Sequence, residues 1–402
     1  MARRYRVRVF GPLEEFAEGF RVELVASGYA WRSVEAQLGL MKHLSAWLGT
    51  RNLTVEDLGA EVTSWFVDAR RQSHSHLRSP RALVPLLGYL RRLGVAPAPP
   101  AESAVTPAEV IEQRFARYLL TQRGLAPSTV SSYRSQVRPF LVRFAGAAGG
   151  WASLTARQVS DFVTDRAAGQ QPRSVAVGAN ALRALLRWMW REQIVATPLD
   201  YCVGSVAACT GTTIPRALNA SQVAGLFAAL PVGPARLRNE PMLALMHRLG
   251  LRAGEVASLR LEDIDWRVGV LTVRGKGARR DQVPLPTDVG KLLVAYLRHG
   301  RSAATEHREV FLALDAPHGR LAGCAVTSVA ARALVQAGIP GPGAAHRLRH
   351  TAACGVLAAG GGLAEAGELL RHASAAATAV YAKSDLTTLA TLTRPWPARA
   401  AR

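Results

Sequence analysis

The stretch HRLRHTAACGVLAAGGGLAEAGELLRHASAAATAVYA, residues 346–382, decides how the rest of the chain is read. It is rich in Ala and Leu and helical by composition, and its small apolar residues suit closely packed helices. His346 and Arg349 stand three apart, so a helix presents both on one face. His372 and Tyr381 follow nine residues apart. Its most apolar part, Ala352–Leu363, is too short to span a bilayer.

The whole chain has 402 residues, 50 Lys+Arg against 29 Asp+Glu, and a formal net charge of +21. That length predicts two or three domains. Hydrophobic residues at 49% and charged residues at 20% are a globular balance. The positive surplus attracts polyanions and favours nucleic acid, although a GC-rich genome also inflates Arg and Ala. Four cysteines, Cys202, Cys209, Cys324 and Cys354, lack C-x-x-C spacing and His neighbours. They predict reduced, mostly buried thiols and neither a zinc site nor a disulfide framework. The basic start MARRYRVRVFGPLEEF lacks the apolar run of a signal peptide. A cytoplasmic protein without a membrane anchor is expected.

Upstream, APAPPAESAVTP (96–107) is a linker by composition. It ends at a helix start, with Thr106 as cap, Pro107 at the first position and Glu109 closing a capping box. YCVGSVAACTGTTIP (201–215) is a second irregular stretch, after which Asn219 and Gln222 repeat the box. Three domains follow: 1–96, 107–200 and 215–398. The first two share three motifs in the same order: GYAWRSV with GLAPSTV, LTVEDL with LTARQV, and RALVPLLGYLRR with NALRALLRWMWR. In the last pair Leu83, Leu86, Leu87 and Leu90 match Leu182, Leu185, Leu186 and Met189, the stripe of an amphipathic helix. Duplication of a unit of four or five helices is the reading adopted. In the third domain Met242–Gly250 and Glu255–Arg260 read as helices, and GVLTVRGKGARRDQVPLP (269–286) as two strands around a Gly-rich turn. The fold class is mainly α with a small β-sheet in the third domain.

Metal-free transesterification of a phosphodiester needs fixed positive donors for the non-bridging oxygens, an acid for the leaving oxygen, a base, and an in-line nucleophile. The third domain offers Arg252 in GLRAGEVASLRLEDIDW, Lys276 in the turn VRGKGARR, His346 and Arg349 in HRLRH, and His372 and Tyr381 in LLRHASAAATAVYAK.

In this order and spacing, residues 215–396 resemble the catalytic domain of tyrosine recombinases, the phage-integrase family, and 106–198 resembles the family's core-binding domain. The tail YAKSDLTTLATLTRPWP is similar to integrases of mobile elements, including those encoded as recombinase trios. The resemblance implies two helical DNA-binding domains followed by an α+β catalytic domain, forming a clamp around double-stranded DNA. It implies that Arg252 and Arg349 grip the scissile phosphate, Lys276 protonates the leaving 5′ oxygen, His346 acts as general acid/base, and His372 hydrogen-bonds the phosphate. Tyr381 then forms a 3′-phosphotyrosine bond that a partner strand's 5′-hydroxyl resolves. No metal, ATP or other cofactor is implied, because the protein–DNA ester keeps the energy of the broken bond. It further implies a homo-tetramer on paired sites, alone or with sister recombinases, the tail with Leu386, Leu389, Leu392 and Trp396 docking into a neighbour.

Beside these residues, Glu255 is expected to pair with an arginine, His350 to be structural, Trp266 and Trp396 to anchor a core or interface, and Arg274, Arg279 and Arg280 to touch phosphates or stay solvated. The chain departs from the family's L-G-H before the tyrosine, having Leu370-Arg371-His372. Glycine there eases helix packing, so Arg371 is expected to point outward or toward DNA. Ala377-Thr378 stands where the family has Thr-Thr. Two other functions fit part of the pattern: DNA relaxation of the type IB topoisomerase kind, and a non-catalytic DNA-binding factor. The charge surplus predicts steep salt dependence. Affinity for duplex DNA, measured by titration, should fall on the order of 10³–10⁵-fold between about 50 and about 200 mM salt if roughly 6–10 phosphates are contacted.

Overall fold

The computed structural model describes residues 7–98, 106–146, 150–205, 216–275, 279–303, 305–372 and 374–384. Two compact units make up the chain, one from Met1–Pro100 with Thr213–Arg402, the other Ala101–Thr212.

Residues 7–98 form α1 (Ala17–Ala26), α2 (Trp31–Gly49), α3 (Ala60–Ser73) and α4 (Pro80–Arg92). Residues 106–205 form α5 (Pro107–Thr121), α6 (Pro127–Phe144), α7 (Ala156–Ala167) and α8 (Pro172–Arg191). Local chemistry repeats along with sequence. Gly28 and Gly124 both take positive φ, 82° and 59°, just before α2 and α6. Thr54 donates its amide to Asp57 at 2.8 Å, and Thr155 to Gln158 at 2.9 Å, so each LT motif caps a helical turn. Leu83, Leu86, Leu87 and Leu90 are buried on α4, and Leu182, Leu185, Leu186 and Met189 on α8. The box at α5 is formed: Thr106 Oγ1 accepts from the Glu109 amide at 3.2 Å, and Glu109 accepts from the Thr106 amide at 3.0 Å.

The third segment has its own core. Asn219 caps α9 (Ala220–Ala228), its Oδ1 accepting from the Gln222 amide at 2.8 Å. The next helix, α10, spans Pro234–Arg248 and starts eight residues before the expected Met242. Pro234 opens it, and Pro241 lies inside, tolerated although it removes one ladder donor. Met242, Leu243, Leu245 and Met246 are all buried, so α10 is apolar on every side there and shows no amphipathic period. The short α11 (Ala253–Ser258) leads into a three-stranded antiparallel sheet, β1 (Ile264–Asp265), β2 (Val270–Arg274) and β3 (Arg280–Pro284), in that order. Leu271, Val273 and Val283 alternate onto the buried face. The turn holding Lys276 lies outside the described residues.

Next come α12 (Thr287–His299), α13 (Gly323–Gln336), α14 (Ala344–Ala358), α15 (Leu363–Leu369) and α16 (Ala375–Thr378), ending in a 3₁₀ turn, Ala379–Ser384. The tail with Leu386 and Trp396, and Cys209, also lie outside the described residues. Cys324 is exposed and Cys202 and Cys354 half-buried, against the expectation of mostly buried thiols. Trp266 is exposed and anchors no core. Among the described residues no helix is long and apolar enough to cross a membrane. Leu86→Ala and Leu185→Ala, equivalent in the repeat and both 0% exposed, should each cost about 2–5 kcal/mol in denaturant unfolding.

Candidate active site

Two helices end against each other to make the site. Helix α10 closes at Leu249, and Gly250 after it is left-handed at φ 59°. Only glycine suits this place, because an added Cβ would sit 2.5 Å from Leu370 Cδ2. Helix α15 closes at Leu370, and Arg371 after it is also left-handed, at φ 53°. The Arg371 amide donates to Glu368 O at 2.9 Å and the His372 amide to Gly367 O at 3.0 Å, the Schellman pattern that glycine usually completes.

Carbonyls from both helix ends converge, and the helix dipole makes them good seats for cations. Arg349, on α14 and 5% exposed, donates to the carbonyls of Gly250 and Leu370. Arg371 does not point outward. Its guanidinium turns inward and donates to Leu249 O at 3.3 Å, Leu369 O at 3.0 Å and Glu255 Oε2 at 2.9 Å. A glycine at this position would meet the same left-handed backbone without strain.

Glu255 bridges two arginines. It accepts from the Arg252 amide at 2.8 Å, from Arg252 Nη1 at 2.7 Å and from Arg371. Burial alone would raise its pKa, but the Arg252 amide and the charges of Arg371 and Arg252 outweigh it and hold the carboxyl below its ordinary value. The Arg252 side chain remains 44% exposed. Two guanidinia thus bind one carboxylate, and its charge also acts on a third, that of Arg349. Burial, followed by the charges of Arg252 and Arg371, pushes Arg349 down to about 10, so it stays cationic at neutral pH.

Tyr381 lies in the 3₁₀ turn, 2% exposed, among Ala353, Ala366 and Leu370. The small Ala353 of α14 and Ala366 of α15 leave room for its ring. The hydroxyl meets His350 Nδ1 at 2.7 Å. Burial pushes the phenol up to about 12, against the lowering charges of Arg349 and Arg252. His350 is lowered by burial, then by His346 and Arg349, so the imidazole is neutral and able to accept the phenol's proton. His350, expected to be structural, is thus the histidine hydrogen-bonded to the tyrosine hydroxyl. The usable signal was its place one turn after His346, whose ring centroid is 6.3 Å from that of His350.

His372 also stacks on Tyr381, at 6.4 Å between centroids, and its Nδ1 meets Thr378 Oγ1 at 2.8 Å. Gly367 allows this approach, since a Cβ there would lie 3.0 Å from the hydroxyl. A cleft of about 920 Å³ opens beside His372, lined among others by Arg280, Gln282, Arg371 and Thr378. The structure thus gathers Arg252, Arg349, His372 and Tyr381, with His346 on the same helix as Arg349. Lys276 is outside the described residues. Arg274 pairs with buried Asp263 at 2.7 Å and Arg279 with Asp281 at 2.7 Å, so neither is simply solvated. Tyr296 is 1% exposed, its hydroxyl accepting from the Leu312 amide at 3.3 Å, and is a core residue.

His372 has a pKa pushed down from 6.5 to about 4, by burial first and then by Arg349, Arg252 and Arg371. The folded imidazole stays neutral where the unfolded one takes up a proton. Stability contributed by this group is therefore full above about 6.5 and is lost as pH falls toward about 4. Unfolding of His372→Gln across that window should show a shallower acid slope than wild type. An identical slope would contradict the assignment.

Comparison with known proteins agrees with this geometry. Residues 216–387 match the phage integrase family, and 113–193 match its N-terminal SAM-like domain. A Sinorhizobium fredii protein assigned as an integrase/recombinase, y4rA, is 34% identical over 399 residues, covering 97% of this chain and 96% of that protein. Tyrosine recombinase XerC of Yersinia pestis is 29% identical over 70% of this chain and 92% of its own length. The fold is shared with the XerH site-specific recombinase on difH DNA, at TM-score 0.57 and 18% identity over 73% of this chain and 98% of that one. It is shared too with a lambda integrase dimer on a core site, at TM-score 0.52 and 18% identity over 73% and 99%. Motif order, the arginine–tyrosine geometry and full-length similarity converge: the chain belongs to the phage integrase family of tyrosine recombinases.

Proposed function

We propose that the chain recombines DNA at specific sites for a mobile element, with Tyr381 as the nucleophile. The observation that carries this reading is the Tyr381 phenol, hydrogen-bonded to His350 and stacked with His372, beside a cluster of three arginines and one carboxylate. The surplus positive charge suits a phosphodiester, whose non-bridging oxygens Arg252 and Arg349 would hold as the pentavalent transition state forms.

Tyr381 Oη attacks phosphorus, and the bond from phosphorus to O5′ breaks. The phenol's proton passes to His350 Nδ1. Because the phenol's pKa is about 12 and His350 is lowered, free ionisation is uphill, so the proton leaves as the new P–O bond forms. In the tautomer where the Thr378 hydroxyl donates to His372 Nδ1, the ring proton of His372 sits on Nε2 and would be offered to a phosphate oxygen. His346 would face the same phosphate. Lys276 would give O5′ its proton. A 5′-hydroxyl from the partner strand then attacks the phosphotyrosine and releases Tyr381. Residues 1–96, 107–200 and 215–398 would act as three domains on double-stranded DNA. Four copies, with or without sister recombinases, would assemble on paired sites in the cytoplasm.

The test is a nicked duplex spanning the element boundary, incubated with protein and run on a denaturing gel. Wild type should give a detergent-resistant covalent adduct and Tyr381→Phe none; an adduct in the mutant would overturn the proposal. His350→Asn should bind the same duplex but form adduct on the order of 10²–10⁴-fold more slowly. An unchanged rate would remove His350 as the proton acceptor.

A further inference from the structure

We propose that Arg371 is a positioning residue for the phosphate site, coupling the strand of chain that carries Arg252 to the limb that carries His372 and Tyr381. Three observations support this. First, Arg371 holds a left-handed backbone at φ 53°, a conformation that favours glycine. The side-chain bonds of an arginine there can offset that cost. Second, its side chain is 4% exposed and donates to Leu249 O, Leu369 O and Glu255, with a longer approach to Gly250 O at 3.5 Å. Those acceptors belong to two segments more than a hundred residues apart in the chain. Third, Glu255 is the only carboxylate hydrogen-bonded to Arg252 among the described residues, and it is shared with Arg371.

The consequence is mechanical. Arg252 is the most exposed arginine of the three, and its direction depends on Glu255. Glu255 in turn is fixed from the other side by Arg371. Because Arg371 immediately precedes His372, the same residue sets the start of the turn that delivers Tyr381. Arg371 thus ties one phosphate-gripping arginine to the nucleophile's limb, without itself needing to touch DNA. A glycine here would keep the backbone and lose the tie.

This inference rests on the recombinase reading. The wild-type adduct on the nicked duplex tests that reading, and Arg371 variants on the same duplex test this one. Arg371→Gly relieves the left-handed strain while removing the guanidinium, so folding and catalysis should part. It should bind duplex with nearly wild-type affinity, yet form adduct on the order of 10²-fold more slowly. Guanidinium ion, at concentrations too low to unfold the protein, should restore part of that rate and leave wild type unchanged. Arg371→Lys keeps the charge but cannot span both segments, and should lie between the two. Adduct formation by Arg371→Gly at the wild-type rate would overturn the proposal. If the glycine variant does not fold, Arg371→Lys decides alone. A wild-type rate would overturn the proposal, and a slowed rate with retained DNA binding would support it.

Discussion

Burying a guanidinium is tolerable only if its donors find acceptors, and this protein buries two side by side. Arg349 and Arg371 draw on neighbouring acceptors at the ends of α10 and α15: Arg349 on the carbonyls of Gly250 and Leu370, Arg371 on those of Leu249 and Leu369 and on the carboxylate of Glu255. Left unpaired, either cation would cost several kcal/mol. The requirement dictates the surroundings. The two helix ends must meet, so Gly250 must be glycine, and Leu370 packs where a Cβ would stand. Glu255 must remain ionised, and its position then sets the direction of Arg252.

Function follows from the charge left over. Helix-end carbonyls carry partial negative charge, and one carboxylate cannot neutralise three guanidinia. The pocket is a cation cluster completed by an anion, and a phosphodiester has the right charge and two non-bridging oxygens to offer. The same cations, together with burial, keep His372 neutral. Burial keeps Tyr381 protonated. Two neutral imidazoles against a protonated phenol store no charge before the substrate arrives. Attack and proton transfer can then coincide.

Much of this was legible in the sequence because it is local. Capping boxes at Thr106 and Asn219, the strand pair around 270–284, and the leucine stripes of α4 and α8 all depend on residues within one turn or one hairpin. The four site residues Arg252, Arg349, His372 and Tyr381 were legible through motif order. What escaped depends on distance or on an unusual backbone. Arg371 turns inward because its left-handed φ redirects the side chain, and its partner Glu255 is 116 positions away. The early start of α10 was hidden by Pro241 and by a helix apolar on every side. His350 could have been weighed more heavily, because its i+4 relation to His346 was visible. Its bond to Tyr381, 31 positions on, was not.

In the proposed reaction the phosphate of cleaved DNA becomes attached to Tyr381. This attachment is tested most directly by trapping the adduct, digesting it with nuclease and trypsin, and sequencing the modified peptide by mass spectrometry. Cleavage after Arg371 and Lys383 isolates His372–Lys383, which holds a single tyrosine. The nucleotide remnant is expected on that tyrosine. A remnant on any other residue, within this peptide or elsewhere, would contradict the account.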